Sequence, residues 1–135
     1  MFENKIRILV VDDMMPMRKV IAKTLKLFGY SDIIEACDGA KAWETLNGSE
    51  VPVDLIISDW NMPNSSGMDL LRRVRAENRF KQMPFILLTA ESEDQQIAEA
   101  AQAGVSGYVT KPFRVASLKE QIEAAYHKHA ALDAA

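Results

Sequence analysis

Ile56-Ile57-Ser58-Asp59-Trp60-Asn61-Met62-Pro63 begins as a run of apolar β-formers, ends that run in an acid, and then breaks into turn residues. The break places Asp59 at the carboxyl end of a strand, and in an open α/β sheet that edge is where ligands bind. An acid there faces chemistry rather than core. Three other apolar runs finish in the same manner: Ile8-Leu9-Val10-Val11 leads into Asp12-Asp13, Phe85-Ile86-Leu87-Leu88 into Thr89, and Tyr108-Val109-Thr110 into Lys111-Pro112. Four strand ends thus deliver three carboxylates, one hydroxyl and one ammonium.

Between these runs the spacing turns helical. Val20, Ile21, Thr24, Leu25 and Phe28 recur with helical period, Pro16 suits a first turn and Gly29 a stop. Ile33 to Ala36 reads as a weaker second strand. Asp38-Gly39 turns the chain, and Ala40, Trp43, Glu44 and Leu46 make a short helix that Asn47-Gly48 stops. Val53 to Ser58 is the third strand, after which Pro63 and Gly67 bend the backbone just past Asp59. Met68 to Ala76 is amphipathic, with Met68, Leu71 and Val74 inward and Arg72, Arg73 and Arg75 on a solvated face. Pro84 introduces the fourth strand. An alanine-rich helix is expected from Ser92 to Ala103, with Ser92 and Gln95 or Gln96 as its cap and Gly104 as its end. Gly107 to Thr110 is the fifth strand. The last helix runs from about Val115 to His129 on a stripe of Leu118, Ile122 and Ala125, its alanine-rich end expected to fray.

Five βα units with short connections predict an α/β fold, a parallel sheet between two layers of helices. Right-handed crossovers bring every strand's carboxyl end to one edge. Periodicity does not supply the order of the strands.

Composition excludes several classes. At 135 residues the chain suits one compact domain over 1–135, which at this size buries roughly two thirds of its unfolded surface without metal or disulfide staples. The lone Cys37 has no internal partner and no metal-ligand spacing around it, so it reads as ordinary packing in a reducing cytosol. The apolar run after Lys5 and Arg7 is too short for a signal peptide, and no run approaches the roughly 20 apolar residues of a membrane span. A net charge of −3 with mixed signs argues against nucleic acid as a partner.

Val11-Asp12-Asp13, Ile57-Ser58-Asp59-Trp60-Asn61-Met62-Pro63-Asn64, Leu88-Thr89-Ala90 and Gly107-Tyr108-Val109-Thr110-Lys111-Pro112-Phe113 together resemble the motifs of bacterial two-component response-regulator receiver domains. The resemblance covers essentially the whole chain. It is nearest to the stand-alone chemotaxis response regulators, on Trp60-Asn61, Glu91 and Ala101-Gln102-Ala103-Gly104. It implies a flavodoxin-like, doubly wound sheet in the order 2-1-3-4-5, the order of flavodoxin and of the chemotaxis receivers themselves. It also implies that Asp59 accepts a phosphoryl group from a histidine kinase, and that Thr89 and Tyr108 act as the switch. The readout would be the surface formed by the fourth helix, the fifth strand and the fifth helix. The implied partners are the kinase, the flagellar motor switch and a phosphatase, met by a cytoplasmic monomer that catalyses only its own phosphorylation and dephosphorylation. With no output domain expected after Ala135, the receiver itself would meet its target.

The chemistry of the residues agrees. Crowded carboxylates repel one another, and a hard divalent cation with oxygen ligands relieves the repulsion. Mg²⁺ is the expected ion, with Asp13, Asp59 and the carbonyl of Asn61 as ligands and Asp12 acting largely through water. A carboxylate can attack phosphorus, and the ammonium of Lys111 and the hydroxyl of Thr89 can meet the transferred oxygens. Holding an X-Pro bond cis costs only about 0.5–1 kcal/mol; with the resemblance, this predicts a cis Lys111-Pro112 peptide aiming the Lys111 amine at Asp59. Taken singly, each residue also has a plainer role: Asp12-Asp13 as a helix cap, Lys111 as a surface lysine, Thr89 as a β-former, Tyr108 and Trp60 as half-packed aromatics. Met14, Met15 and Met17 read as packing, and His127 and His129 receive no role.

Two departures from the family's pattern stand out. Ser66 replaces the acid often found before the glycine, and can still cap the next helix. Glu93-Asp94 makes the output face more acidic, which would alter its complementarity to a target. Three rival functions share parts of the pattern. One is a receiver acting as phosphate sink or relay intermediate without motor binding. The second is an aspartate-nucleophile phosphatase, disfavoured because Asn61 stands where a general acid belongs. The third is a flavin module, disfavoured by acids where a phosphate-cradling loop should be.

Overall fold

The apolar runs form five parallel strands in a computed structural model that describes residues 4–48, 52–62, 65–90 and 94–134. In chain order the elements are β1 (Arg7–Val11), α1 (Met15–Leu27), β2 (Asp32–Ala36), α2 (Gly39–Gly48), β3 (Leu55–Asp59), α3 (Gly67–Ala76), β4 (Phe85–Thr89), α4 (Asp94–Gln102), β5 (Gly107–Thr110) and α5 (Val115–Ala134). The sheet order is β2-β1-β3-β4-β5, the flavodoxin-like order that the resemblance implies. Register pairs Val11 with Ser58, Asp59 with Leu88 and Thr89 with Thr110, so the ends of β1, β3, β4 and β5 come level at one edge.

Successive side chains of a strand point to opposite faces, and both faces of this sheet are covered. Leu9 and Val11 of β1, Ile56 of β3, and Phe85 and Leu87 of β4 pack with Ala42, Leu46, Met68, Leu71, Val74 and Ala100 from α2, α3 and α4. Ile8, Val10, Leu55, Ile57, Ile86, Leu88 and Val109 pack on the other face with Ile21, Leu25, Leu118, Ile122 and Ala125 from α1 and α5. Double coverage is why the strands read as continuous apolar runs rather than as alternating ones.

The helix ends follow local chemistry. Pro16 lies in the first turn of α1, and Gly29 leaves that helix at φ +99°, a conformation glycine adopts without steric cost. Asp38 accepts the Lys41 amide at 2.8 Å and so caps α2, beyond the turn role expected of it. Ser66 caps α3 as expected: its hydroxyl accepts the Asp69 amide, and the Asp69 carboxylate accepts the Ser66 amide in return.

Several expectations are corrected. α5 continues to Ala134 rather than fraying at His129, as the high helix propensity of its alanines favours. Cys37 is exposed rather than packed. Met14 and Met15 are exposed too, and only Met17 of the three packs against the core. Arg72 pairs with Glu99 at 2.8 Å and Arg73 stacks on Trp43, but Arg75 turns inward, donating to the Gly104 carbonyl at 2.8 Å and to Ser106 Oγ at 3.4 Å. Burial pushes the Arg75 guanidinium down to about 10. His129 has a partner after all, with its Nε2 2.7 Å from Ser106 Oγ. The Ser92 cap, Glu91, Glu93, Pro63 and Asn64 lie outside the described residues.

Removing the hydroxyl that caps α3 should cost about 1 kcal/mol. Urea unfolding of Ser66→Ala is expected to show that loss as a lower midpoint with an unchanged slope.

Candidate functional site

The acids meet where β1 and β3 end. Carboxylate oxygens of Asp12, Asp13 and Asp59 all lie within 4.8 Å of one another. Asp12 is fully buried, Asp59 nearly so, and Asp13 is exposed. Lys111 reaches back from the end of β5, its Nζ 3.1 Å from Asp59 Oδ1 and 3.3 Å from Asp12 Oδ2. The contact with Asp59 is the one expected; the contact with Asp12 is an addition. The Lys111-Pro112 peptide is cis, as expected, and the Lys111 amide donates to the Thr89 carbonyl at 2.8 Å.

Among the described residues Lys111 is the only cationic side chain in contact with these carboxylates, so one ammonium faces three acids. The imbalance shows in Asp59. Burial pushes its carboxyl above the ordinary carboxylate range, Lys111 pulls it back, and the charges of Asp12 and Asp13 add to the rise. For Lys111, burial works against the ammonium, but the hydrogen bond and charge of Asp59, with help from Asp12, leave its pKa raised. Three hard oxygen donors short of positive charge fit a divalent cation such as Mg²⁺.

Asp12 does not cap α1. The helix N-cap is Met14, which has no side-chain cap bond; Asp12 Oδ1 instead accepts the Met14 amide at 2.9 Å in a local turn. The Asp12 amide extends the sheet ladder to the Ala36 carbonyl at 3.2 Å. Its own carbonyl is taken by Arg18 Nη1 at 2.8 Å, and Arg18 Nε donates to Glu35 Oε1 at 3.1 Å. Neither Arg18 nor Glu35 was singled out by the sequence reading. A cation in the first turns of a helix opposes the helix dipole, and that misfit is the signal that could have drawn attention to Arg18.

Strand parity sorts the remaining residues. Asp59 shares its face with Leu55 and Ile57 on the α1–α5 side, whereas Thr89 shares the face of Phe85 and Leu87 toward α2, α3 and α4. Thr89 is buried at the site edge, and half-buried Tyr108 packs on the same side of the sheet as Thr89. Trp60 and Met62 also pack there, while Asn61, two residues beyond Asp59, is exposed. Asp12, Asp13, Asp59, Lys111 and Thr89 therefore gather at one edge, while Tyr108 lies further back along β5, opposite Leu87.

Gly67 is a residue whose part the sequence understated. Its amide donates to the Trp60 carbonyl at 2.9 Å, and a Cβ on it would collide with the Asp59 carbonyl oxygen. The loop can close under Asp59 only because this position has no side chain.

Two outcomes are expected from this geometry. Gly67→Ala should push the Asp59 peptide aside and destabilise the protein by about 1–3 kcal/mol, read by urea unfolding. Asp59→Asn should raise the melting temperature of metal-free protein at neutral pH, by roughly 3–5 °C per kcal/mol of relieved repulsion. The sign follows from the raised Asp59 pKa. Stability is lost as the wild-type carboxyl ionises with rising pH, and the variant has nothing to ionise, so the gap should close as pH falls below that pKa. Melting curves across the acid range check it.

The sequence profile of the response regulator receiver domain matches residues 8–123. Chemotaxis protein CheY of Pseudomonas aeruginosa is 46% identical over 122 residues, covering 90% of this chain and 97% of that one. Chemotaxis protein CheY1 of Helicobacter pylori strain J99 is 44% identical over 117 residues, covering 87% and 94%. The high-resolution structure of the chemotaxis response regulator CheY4 of Vibrio cholerae superimposes with a TM-score of 0.80 at 30% identity, over 90% of this chain and 98% of that one. With the profile spanning most of its length and such relatives along nearly all of it, this chain belongs to the response regulator receiver domain family.

Proposed function

We propose that this protein is a phospho-accepting chemotaxis response regulator, whose receiver domain takes a phosphoryl group from a histidine kinase on Asp59. The observation that carries the reading is the Lys111 ammonium 3.1 Å from an Asp59 carboxylate that shares its pocket with two further acids. The chemotaxis names of the relatives support the biological setting.

An Asp59 carboxylate oxygen attacks the phosphorus of a phosphohistidine. An O–P bond forms, the N–P bond breaks, and the departing imidazole nitrogen keeps the electron pair and takes a proton from solvent. Lys111, already at the carboxylate, neutralises a phosphoryl oxygen, and the Thr89 hydroxyl donates to another. Asp13, Asp59 and the Asn61 carbonyl would hold Mg²⁺, with Asp12 acting through water; bound there, the ion neutralises charge on the phosphoryl oxygens. Drawing Thr89 toward the edge vacates space on the face it shares with Tyr108, which biases the Tyr108 rotamer and so the surface of α4, β5 and α5. That surface carries a groove of about 280 Å³ lined by Ile97, Ala101, Val105, Tyr108, Gln121 and Lys128. Its target in this reading is the flagellar motor switch.

Acetyl phosphate with Mg²⁺ should add one phosphoryl mass to the wild type, mapping to Asp59, and none to Asp59→Asn. Label on any other residue would sink the assignment. Lys111→Ala should slow labelling about a hundredfold, and Asp13→Ala should abolish Mg²⁺ binding in a direct titration. A phosphorylated protein that takes label from a kinase yet ignores a motor-switch peptide would favour the phosphate-sink reading.

A further inference from the structure

Asp12 and Asp13 reach the cation pocket in different ways. Asp12 is fixed at every polar atom: its amide by the Ala36 carbonyl, its carbonyl by Arg18, Oδ1 by the Met14 amide and Oδ2 by Lys111. Asp13 is exposed and follows the peptide whose carbonyl Arg18 holds. The plane of the Asp12-Asp13 peptide therefore sets where the Asp13 side chain is rooted, and the side chain fixing that plane is Arg18.

Arg18 is itself fixed. Its Nε donates to Glu35 Oε1 at 3.1 Å, with only 16% of the arginine side chain and 24% of the glutamate side chain exposed. Glu35 stands on β2 opposite Val10, one residue before the Val11–Ala36 pair that closes the ladder. Lys19 pairs with the other Glu35 oxygen at 2.8 Å but makes no bond to Asp12. A guanidinium can donate from Nε and Nη1 to two acceptors at once, whereas an ammonium has no such fork.

Resting on the Mg²⁺-dependent reading above, we propose that Arg18, braced by Glu35, is a positioning residue that clamps the Asp12-Asp13 peptide and so preorganises Asp13 to bind the cation. Glu35 has a second part in this. It engages Arg18 away from the pocket, so the guanidinium does not swing onto Asp13 as a competing counter-charge.

The clamp and simple electrostatics predict opposite signs. Arg18→Ala removes a positive charge close to a cation site, and Coulomb's law alone would tighten binding. If the clamp operates, affinity falls, on the scale of about ten- to a hundredfold typical when an outer partner of a metal ligand is lost. Binding is read with Mn²⁺, the free ion being counted by electron paramagnetic resonance, which requires no phosphoryl transfer. Thermal melts of the metal-free proteins run beside it as the measure of folding.

Arg18→Ala, Arg18→Lys and Glu35→Gln are all expected to weaken Mn²⁺ binding while melting cooperatively, and Lys19→Ala to leave it within about twofold of wild type. The Lys and Gln variants keep the test alive if Arg18→Ala fails to fold. Unchanged or tighter binding in folded Arg18→Ala or Arg18→Lys overturns the clamp while leaving the cation reading intact. A wild type that binds no Mn²⁺ overturns both.

Discussion

Three carboxylates held within 4.8 Å of one another against one ammonium is the constraint on which the rest of the edge depends. Like charges at that spacing in a partly buried pocket cost free energy that the core must supply. The surroundings show how the cost is contained. Lys111 is shared between Asp12 and Asp59, Asp12 is bonded at each polar atom, and Asp13 is left at the surface where water screens it. The arrangement keeps a residual negative charge and a buried carboxyl whose pKa burial has raised. Such a site gains from any arriving positive charge.

The scaffold makes that tolerable by holding the backbone on all sides of the acids. Aliphatic strands fix β1 and β3 in register, so Asp12 and Asp59 cannot separate without breaking ladder bonds. Gly67 allows the loop after Asp59 to fold back against the Asp59 carbonyl, and the reciprocal Ser66–Asp69 cap starts α3 there. On the far side, Arg18 and Glu35 join α1 to β2 across the Asp12 carbonyl.

What the sequence made legible was local. Uninterrupted apolar runs such as Ile56 to Ser58 announce buried parallel strands, and acids at their ends announce a ligand edge, because both signals are carried by adjacent residues. Strand order is a relation between distant segments, and it was readable only through resemblance. The same limit hid the Arg18–Glu35 pair, 17 residues apart, and the partnership of His129 with Ser106. Its place beside Arg72 and Arg73 makes Arg75 look solvated, yet helix geometry turns it toward the loop before β5. Residue type suggests packing for Cys37 and Met14, but side-chain type does not report which way a short connection faces.

The alternation along β3 and β4 makes the sheet a partition between two compartments of side chains. Asp59 belongs to the compartment of α1 and α5, while Thr89 and Tyr108 belong to that of α2, α3 and α4. Asp59 and Thr89 both stand at the rim, where the partition ends. The shortest path between compartments therefore runs around the rim rather than through the packed aliphatic layer. A small group attached at that doorway would border both rooms at once, so a charge added to Asp59 would be felt on the side of the sheet to which Asp59 itself does not belong.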